Sequence, residues 1–133
     1  MKRISDILHS ARTIAVVGLS GKRFRPSYGV AEYLQRSGFR VIPVNPAVSE
    51  VLGERSYPDL DSIPGAVDVV DIFRRSEFVP EIVEAAIRKG AKAIWMQEGV
   101  VHEEAARRAE EAGLAVVMDR CILKDHRRLA YAS

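Results

Sequence analysis

The stretch that decides the fold is Thr13-Ile14-Ala15-Val16-Val17-Gly18, followed by Leu19-Ser20-Gly21-Lys22. After Thr13 no polar residue interrupts the run and β-branched residues dominate it, the composition of a strand buried on both faces at the centre of a sheet. Outward from this strand, apolar runs at Arg40–Val44, Val67–Phe73, Lys92–Gln97 and Leu114–Met118 alternate with segments of helical period at Tyr28–Ser37, Val79–Lys89 and His102–Ala112. Gly38, Gly90 and Gly113 stand where these helices should stop, and Pro80 falls in a first turn. The alternation predicts an α/β fold: a single doubly wound Rossmann-type domain over residues 1–133, its mostly parallel sheet of about five strands in the order 3-2-1-4-5. Residues 1–11 read as an amphipathic helix and residues 122–133 as a basic tail, a mobile, solvated terminus. Between Asn45 and Leu60 the pattern weakens, with one short strand expected near Glu54–Ser56.

The composition supports one folded unit. The chain has 133 residues, 47% of them hydrophobic and 29% charged, far from the balance of a disordered segment. Net charge is only +2, from 20 basic and 18 acidic residues, and the signs are interspersed along helix faces such as Glu103 to Glu111. That pattern argues against a nucleic-acid partner. The single cysteine, Cys121, forms no internal disulfide and belongs to no metal-ligand spacing, so no metal site is expected. With neither a signal-like run nor a membrane-length apolar segment, a cytoplasmic protein without membrane contact is the expectation.

In sheets of this kind ligands bind beyond the carboxyl ends of the strands, where the strand order reverses. The residues there are Gly18 to Lys22, Asn45-Pro46, Phe73-Arg74-Arg75-Ser76, Gln97-Glu98-Gly99-Val100 and Asp119-Arg120-Cys121. The first loop is the phosphate-site candidate. Gly18 permits a tight turn, Ser20 and Gly21 allow backbone amides near an anion, the next helix aims its positive end there, and Lys22 and Arg25 add charge. Gly-x-Ser-Gly is neither a dinucleotide fingerprint nor a P-loop, and the second strand ends in Asn45-Pro46 where NAD-binding domains usually carry a carboxylate.

Taken together and in order, Gly18-Leu19-Ser20 with Lys22 and Arg25-Pro26-Ser27-Tyr28, Val41-Ile42-Pro43-Val44-Asn45-Pro46, Asp71-Ile72-Phe73-Arg74, Trp95-Met96-Gln97-Glu98-Gly99-Val100 and Met118-Asp119-Arg120-Cys121 resemble the stand-alone CoA-binding protein family. That family is similar to the N-terminal CoA-binding domain of the succinyl-CoA synthetase α subunit. The resemblance implies coenzyme A as ligand, with Gly18, Ser20, Lys22 and Arg25 holding its phosphates, Asn45 and Pro46 bordering the nucleotide, and Phe73, Arg74 and Gln97 approaching the pantetheine arm. It implies binding and not a reaction, since the synthetase's active-site histidine comes from another domain.

The remaining chemistry-bearing residues divide between functional and structural roles. Arg25 and Arg74 read as phosphate ligands, Arg75 as a solvated charge. Asp68 and Asp71 fall on opposite sides of one strand and make no catalytic pair. Cys121 follows a strand at the crevice edge and could form a mixed disulfide with CoA, although a small buried apolar role is the commoner one. His9, His102 and His126 read as surface residues, Trp95 and Met96 as core. No catalytic residue emerges, so a CoA-binding module, with a protein partner as an open option, is preferred over a component of a CoA-dependent acyl transferase or ligase and over an NAD-linked redox sensor.

Overall fold

The computed structural model describes residues 2–132. In chain order its elements are α1 (Lys2–Ser10), β1 (Thr13–Val17), α2 (Pro26–Arg36), β2 (Arg40–Val44), β3 (Glu50–Val51), β4 (Glu54–Arg55), β5 (Val69–Ile72), α3 (Val79–Lys89), β6 (Ala93–Met96), α4 (Glu103–Glu111), β7 (Ala115–Val117) and α5 (Ile122–Ala132). Five strands form one sheet in the order β2-β1-β5-β6-β7, every pair parallel. β1 is therefore interior and its buried run is explained: Ile14, Ala15 and Val16 have no solvent exposure.

Because strand side chains alternate, the sheet supplies two cores. Ala15, Val17, Ile42, Val70, Ile72, Ile94 and Met96 face a layer that includes Val79, Ile82, Val83 and Ala86 of α3 and Ala105, Ala106 and Ala109 of α4. Ile14, Val16, Val41, Val69, Ala93, Trp95 and Val117 face Ile4, Ile7 and Leu8 of α1, Val30, Ala31 and Leu34 of α2, and Ile122 of α5. Each fully buried aliphatic side chain contributes roughly 1.5–3 kcal/mol.

The expected sheet order, the mobile basic tail and the surface placement of all three histidines are corrected. The main-sheet order is 2-1-3-4-5 when its own strands are numbered, not 3-2-1-4-5. The short strand expected near Glu54–Ser56 is β4, which pairs antiparallel with β3 in a hairpin, and the segment joins β2 through a parallel bridge between Val44 and Tyr57. Pro43, which has no N–H to donate, sits accordingly on an edge strand. The basic tail is α5, an 11-residue helix docked through Ile122 and the buried Asp125. Its i, i+3, i+4 pattern was hidden by the charges of Lys124 to Arg128, which lie on the same helix as Leu123 and Leu129, both packed against the core. Nor are all the histidines surface residues. His126 lies half-buried between Tyr33, whose hydroxyl is 2.8 Å from its Nδ1, and the edge of Phe39, and burial lowers its pKa.

The two ends of the sheet differ. At the amino end Asp68 accepts the amides of Arg12 and Thr13 at 2.8 and 3.0 Å. Burial works against its charge, but those amides and the Lys92 ammonium outweigh it and hold the carboxyl below its usual range. Its position beneath β1 explains why it shares no site with Asp71.

Candidate functional site

At the carboxyl end, β1 and β5 part where the sheet order reverses, and a cleft opens between their loops. One lobe, about 370 Å³, is lined by Gly18, Ser20, Lys22, Arg25, Pro26, Ser27 and Phe73. A second, about 490 Å³, is lined by Val30, Arg74, Arg75, Gln97, Glu98, Gly99, Val100 and Cys121, and shares Pro26 and Phe73 with the first. The two are thus continuous over the Pro26–Phe73 saddle. Their volumes fall in the range of small-molecule sites.

The first lobe is shaped by glycine. Gly18 has φ +88°, and a Cβ there would stand 2.6 Å from the Phe73 carbonyl oxygen and 3.0 Å from the Arg74 side chain. Only glycine allows the loops after β1 and β5 to approach this closely. The loop is then tied by its own side chains: the Ser20 amide donates to Ser27 Oγ at 3.0 Å and the Lys22 amide to Ser20 Oγ at 3.0 Å. Of the two positions whose amides the sequence suggested for an anion, Ser20 has its amide engaged within the loop and Gly21 does not. Ser20 acts as a loop brace, and the Gly21 amide has no partner among the described residues.

α2 starts at this loop with Pro26 at its first position, and Arg25 at its N-cap makes no side-chain cap. Pro26 has no N–H and the Tyr28 amide donates to the Arg25 carbonyl at 3.1 Å, so the uncapped start offers the lobe the Ser27 amide and the helix's partial positive charge. Lys22, Arg25 and Arg74 have no carboxylate partner among the described residues, as is also true of Arg40, Arg55, Arg107 and Arg127 away from the cleft, whereas Arg75, which lines the second lobe, pairs with Glu77 at 3.7 Å. Arg74 instead lies over the Phe78 ring at 4.3 Å. The rim carries positive charge that the protein itself does not neutralise.

The second lobe is walled by the turns after β6 and β7, which are knitted together. Gln97, 4% exposed, accepts the Ile122 amide at the start of α5 on its Oε1 at 3.0 Å. Asp119, at φ +60°, accepts the Gly99 amide at 2.7 Å, and Trp95 Nε1 donates to the Arg120 carbonyl at 2.9 Å. Arg120 grips the buried Asp125 bidentately, 2.8 Å on each oxygen, and Lys124 bonds Glu98 at 3.0 Å.

Of the residues singled out in the sequence, Gly18, Ser20, Lys22, Arg25, Phe73, Arg74 and Gln97 line this cleft. Asn45 and Pro46 line neither lobe. Asn45 is a clamp: its amide nitrogen donates to the Leu19 carbonyl at 3.0 Å, and its Oδ1 accepts the Ala47 amide at 2.9 Å. Pro26, Val30, Val100 and Cys121 complete the cleft; apolar spacing assigned Val30 to the core, and it does both. A further hollow behind Arg74 is lined by Val17, Val44, Pro58, Leu60 and Ile82, which the irregular 45–60 segment concealed.

Asp71, in β5 beside Val16 and Trp95, is completely buried and neither oxygen has a hydrogen-bond partner. Burial alone raises its pKa well above the usual carboxylate range. It lies on the sheet face of Phe73, one side chain deeper than the cleft floor.

A family model described as CoA binding domain matches residues 12–127. The chain belongs to that family. Within the family's reach, the Bacillus subtilis protein YneT is 42% identical over 123 residues, 92% of this chain and 91% of its own. A solved structure of a Pyrococcus horikoshii OT3 protein superposes with a TM-score of 0.94 at 43% identity, covering 97% of this chain and 91% of that one. The α subunit of Pyrococcus furiosus acetate–CoA ligase (ADP-forming) II is 29% identical over 128 residues, 88% of this chain. This chain spans only 28% of that subunit's length. No helix among the described residues is long and apolar enough to cross a membrane.

Proposed function

We propose that the cleft at the β1–β5 switch binds coenzyme A or an acyl-CoA, and that the chain acts as a binding module in the cytoplasm. The observation that carries this reading is the unneutralised rim. Lys22 and Arg25 flank the start of α2 and Arg74 lines the adjoining lobe, none with a carboxylate partner among the described residues, and a ligand bearing several phosphates supplies the missing charge. Membership of the CoA binding domain family names the ligand class. In this reading Gly18, Lys22 and Arg25 hold phosphates with Ser20 bracing their loop, Asn45 and Pro46 set the nucleotide border through the clamp on Leu19, and Phe73, Arg74 and Gln97 line the path of the pantetheine arm.

NAD is the weaker reading, because Asn45 spends its amide nitrogen and oxygen on Leu19 and Ala47 and β2 ends without a carboxylate for ribose hydroxyls. A role inside a CoA-dependent ligase or transferase, with catalysis supplied by a partner chain, is favoured by one observation: the acetate–CoA ligase α subunit contains this portion alongside further sequence.

A thermal-shift titration against CoA, acetyl-CoA, NAD, NADP and ATP tests the ligand, since a molecule that binds only the native state raises apparent stability. A shift with CoA or acetyl-CoA at concentrations where NAD gives none is expected. A shift with NAD and none with CoA would overturn the reading.

A further inference from the structure

The loop after β1 holds an aromatic ring in water beside the cations of the first lobe. The Arg25 amide donates to the Lys22 carbonyl at 3.1 Å, which closes a turn with Arg23 and Phe24 at its two central positions. Phe24 is 76% exposed. The turn is braced from within, since Ser20 Oγ accepts the Lys22 amide and Ser27 Oγ the Ser20 amide, so the ring is carried on a fixed frame. Its place is the edge of the first lobe: the guanidinium carbon of Arg25, which lines that lobe, stands 5.5 Å from the centre of the Phe24 ring, within cation–π range. Lys22, Arg23 and Arg25 surround the ring in sequence, and from Gly18 to Ala31 the chain contains no acid. A lone apolar side chain at a surface is ordinary. A ring paired with a cavity-lining guanidinium, among cations without acids, is the combination that receives a base on its flat face and phosphates on its charges.

Resting on the CoA reading of the cleft, we propose that Phe24 is the platform on which the adenine base of the ligand stacks, and that it sets a preference for ligands with an adenosine end. The 5′-diphosphate meets Lys22 and Arg25 in the first lobe, and the base, one sugar away, lies on the ring at the tip of the turn. Arg23, the other central residue of that turn, adds a cation for the ribose 3′-phosphate. The arm is left to the second lobe, beyond the Pro26–Phe73 saddle. A polynucleotide needs a succession of rings along a groove, whereas a ligand with a single base needs one, and Phe24 is the only ring on this turn.

Calorimetry of the full chain with CoA and with 4′-phosphopantetheine, which keeps the arm and one phosphate but lacks the adenosine end, tests the platform. Phe24→Ala is expected to weaken CoA binding roughly tenfold and to leave the affinity for 4′-phosphopantetheine unchanged. Phe24→Leu, which keeps apolar area without a ring, should lose as much, and Phe24→Trp should bind CoA at least as well as wild type. Because the side chain is exposed, all three variants should keep the wild-type melting temperature, so the affinities are read in folded protein. Unchanged CoA affinity in Phe24→Ala, an equal loss with the two ligands, or full affinity in Phe24→Leu overturns the inference. Wild type separates the two levels: if it does not bind CoA, the CoA reading falls together with the platform, whereas CoA binding that Phe24→Ala leaves intact removes the platform alone.

Discussion

The two walls of the cleft are built on opposite plans. On the wall formed by the turns after β6 and β7, polar groups are spent on one another: Arg120 on Asp125, Lys124 on Glu98, Asp119 on the Gly99 amide, the Gln97 oxygen on Ile122. On the wall formed by the loop after β1, short serine contacts brace the backbone while Lys22 and Arg25 extend without an acid. The difference separates stability from recognition. The first wall holds its shape with internal partners, and the second keeps its charges available for an external one.

Gly18 is where the walls depend on each other, and it carries the largest expected effect. Gly18→Ala places a Cβ 2.6 Å from a backbone oxygen at a residue with φ +88°, so the loops after β1 and β5 must separate. Strain of the left-handed conformation costs about 1–2 kcal/mol and the contact adds to it. Urea denaturation should show a loss of more than about 2 kcal/mol together with lost CoA binding. A variant of wild-type stability that still binds CoA would mean the close approach is not required.

Breaking the stable wall should cost nearly as much. Arg120→Ala leaves the Asp125 carboxylate, buried and fixed, with only the more distant Arg128 at 3.2 Å. The expected loss is about 2 kcal/mol, reduced from the value for a fully buried pair because Arg120 itself is partly exposed. CoA affinity in the folded variant should change by less than threefold. A large loss of affinity with little loss of stability would reverse the assignment of the two walls.

Beneath both walls, Asp71 makes stability depend on pH. Its folded-state pKa is raised by burial, so the native state favours the protonated acid. Stability is greatest below the ordinary carboxylate range, falls as pH rises through it, and levels off only above the raised folded value. Over that window wild type should lose stability relative to Asp71→Asn by up to about 1.4 kcal/mol per pH unit, read from denaturation curves. Parallel pH profiles for the two proteins would show that Asp71 does not titrate in this window.

How much of this was legible in the sequence follows from what each feature depends on. The β1 run, β2 and α3 were readable because uninterrupted β-branched residues and a Pro80-to-Gly90 frame are local signals. The sheet order is not legible locally, because a short strand near Glu54 can extend the sheet or form a hairpin with equal local logic, and only tertiary contact chooses. α5 was concealed because Asp125 and Arg128 look solvated in sequence, while in the fold Asp125 is 2% exposed and pairs with Arg120. At the site, position after a strand gathers Gly18, Lys22, Arg25, Phe73, Arg74 and Gln97, all of which line the cleft. It could not distinguish lining from bracing, which is why Asn45 emerges as a clamp on Leu19 and the Ser20 and Lys22 amides as already engaged. Cys121 joins the cleft through the crossing of the last two loops, a long-range feature with no local pattern.

The smallest effect on stability belongs to the recognition wall and is the most informative. Lys22→Ala combined with Arg25→Ala removes two exposed charges without internal partners, so stability should change by less than about 0.5 kcal/mol. The measurement that tests the account most directly is a calorimetric titration of this double variant and wild type with CoA at one salt concentration. At roughly tenfold per charge-assisted contact, affinity is predicted to fall about 100-fold in a fully folded variant. Unchanged affinity in the folded double variant would contradict the assignment of the β1 loop as the phosphate site.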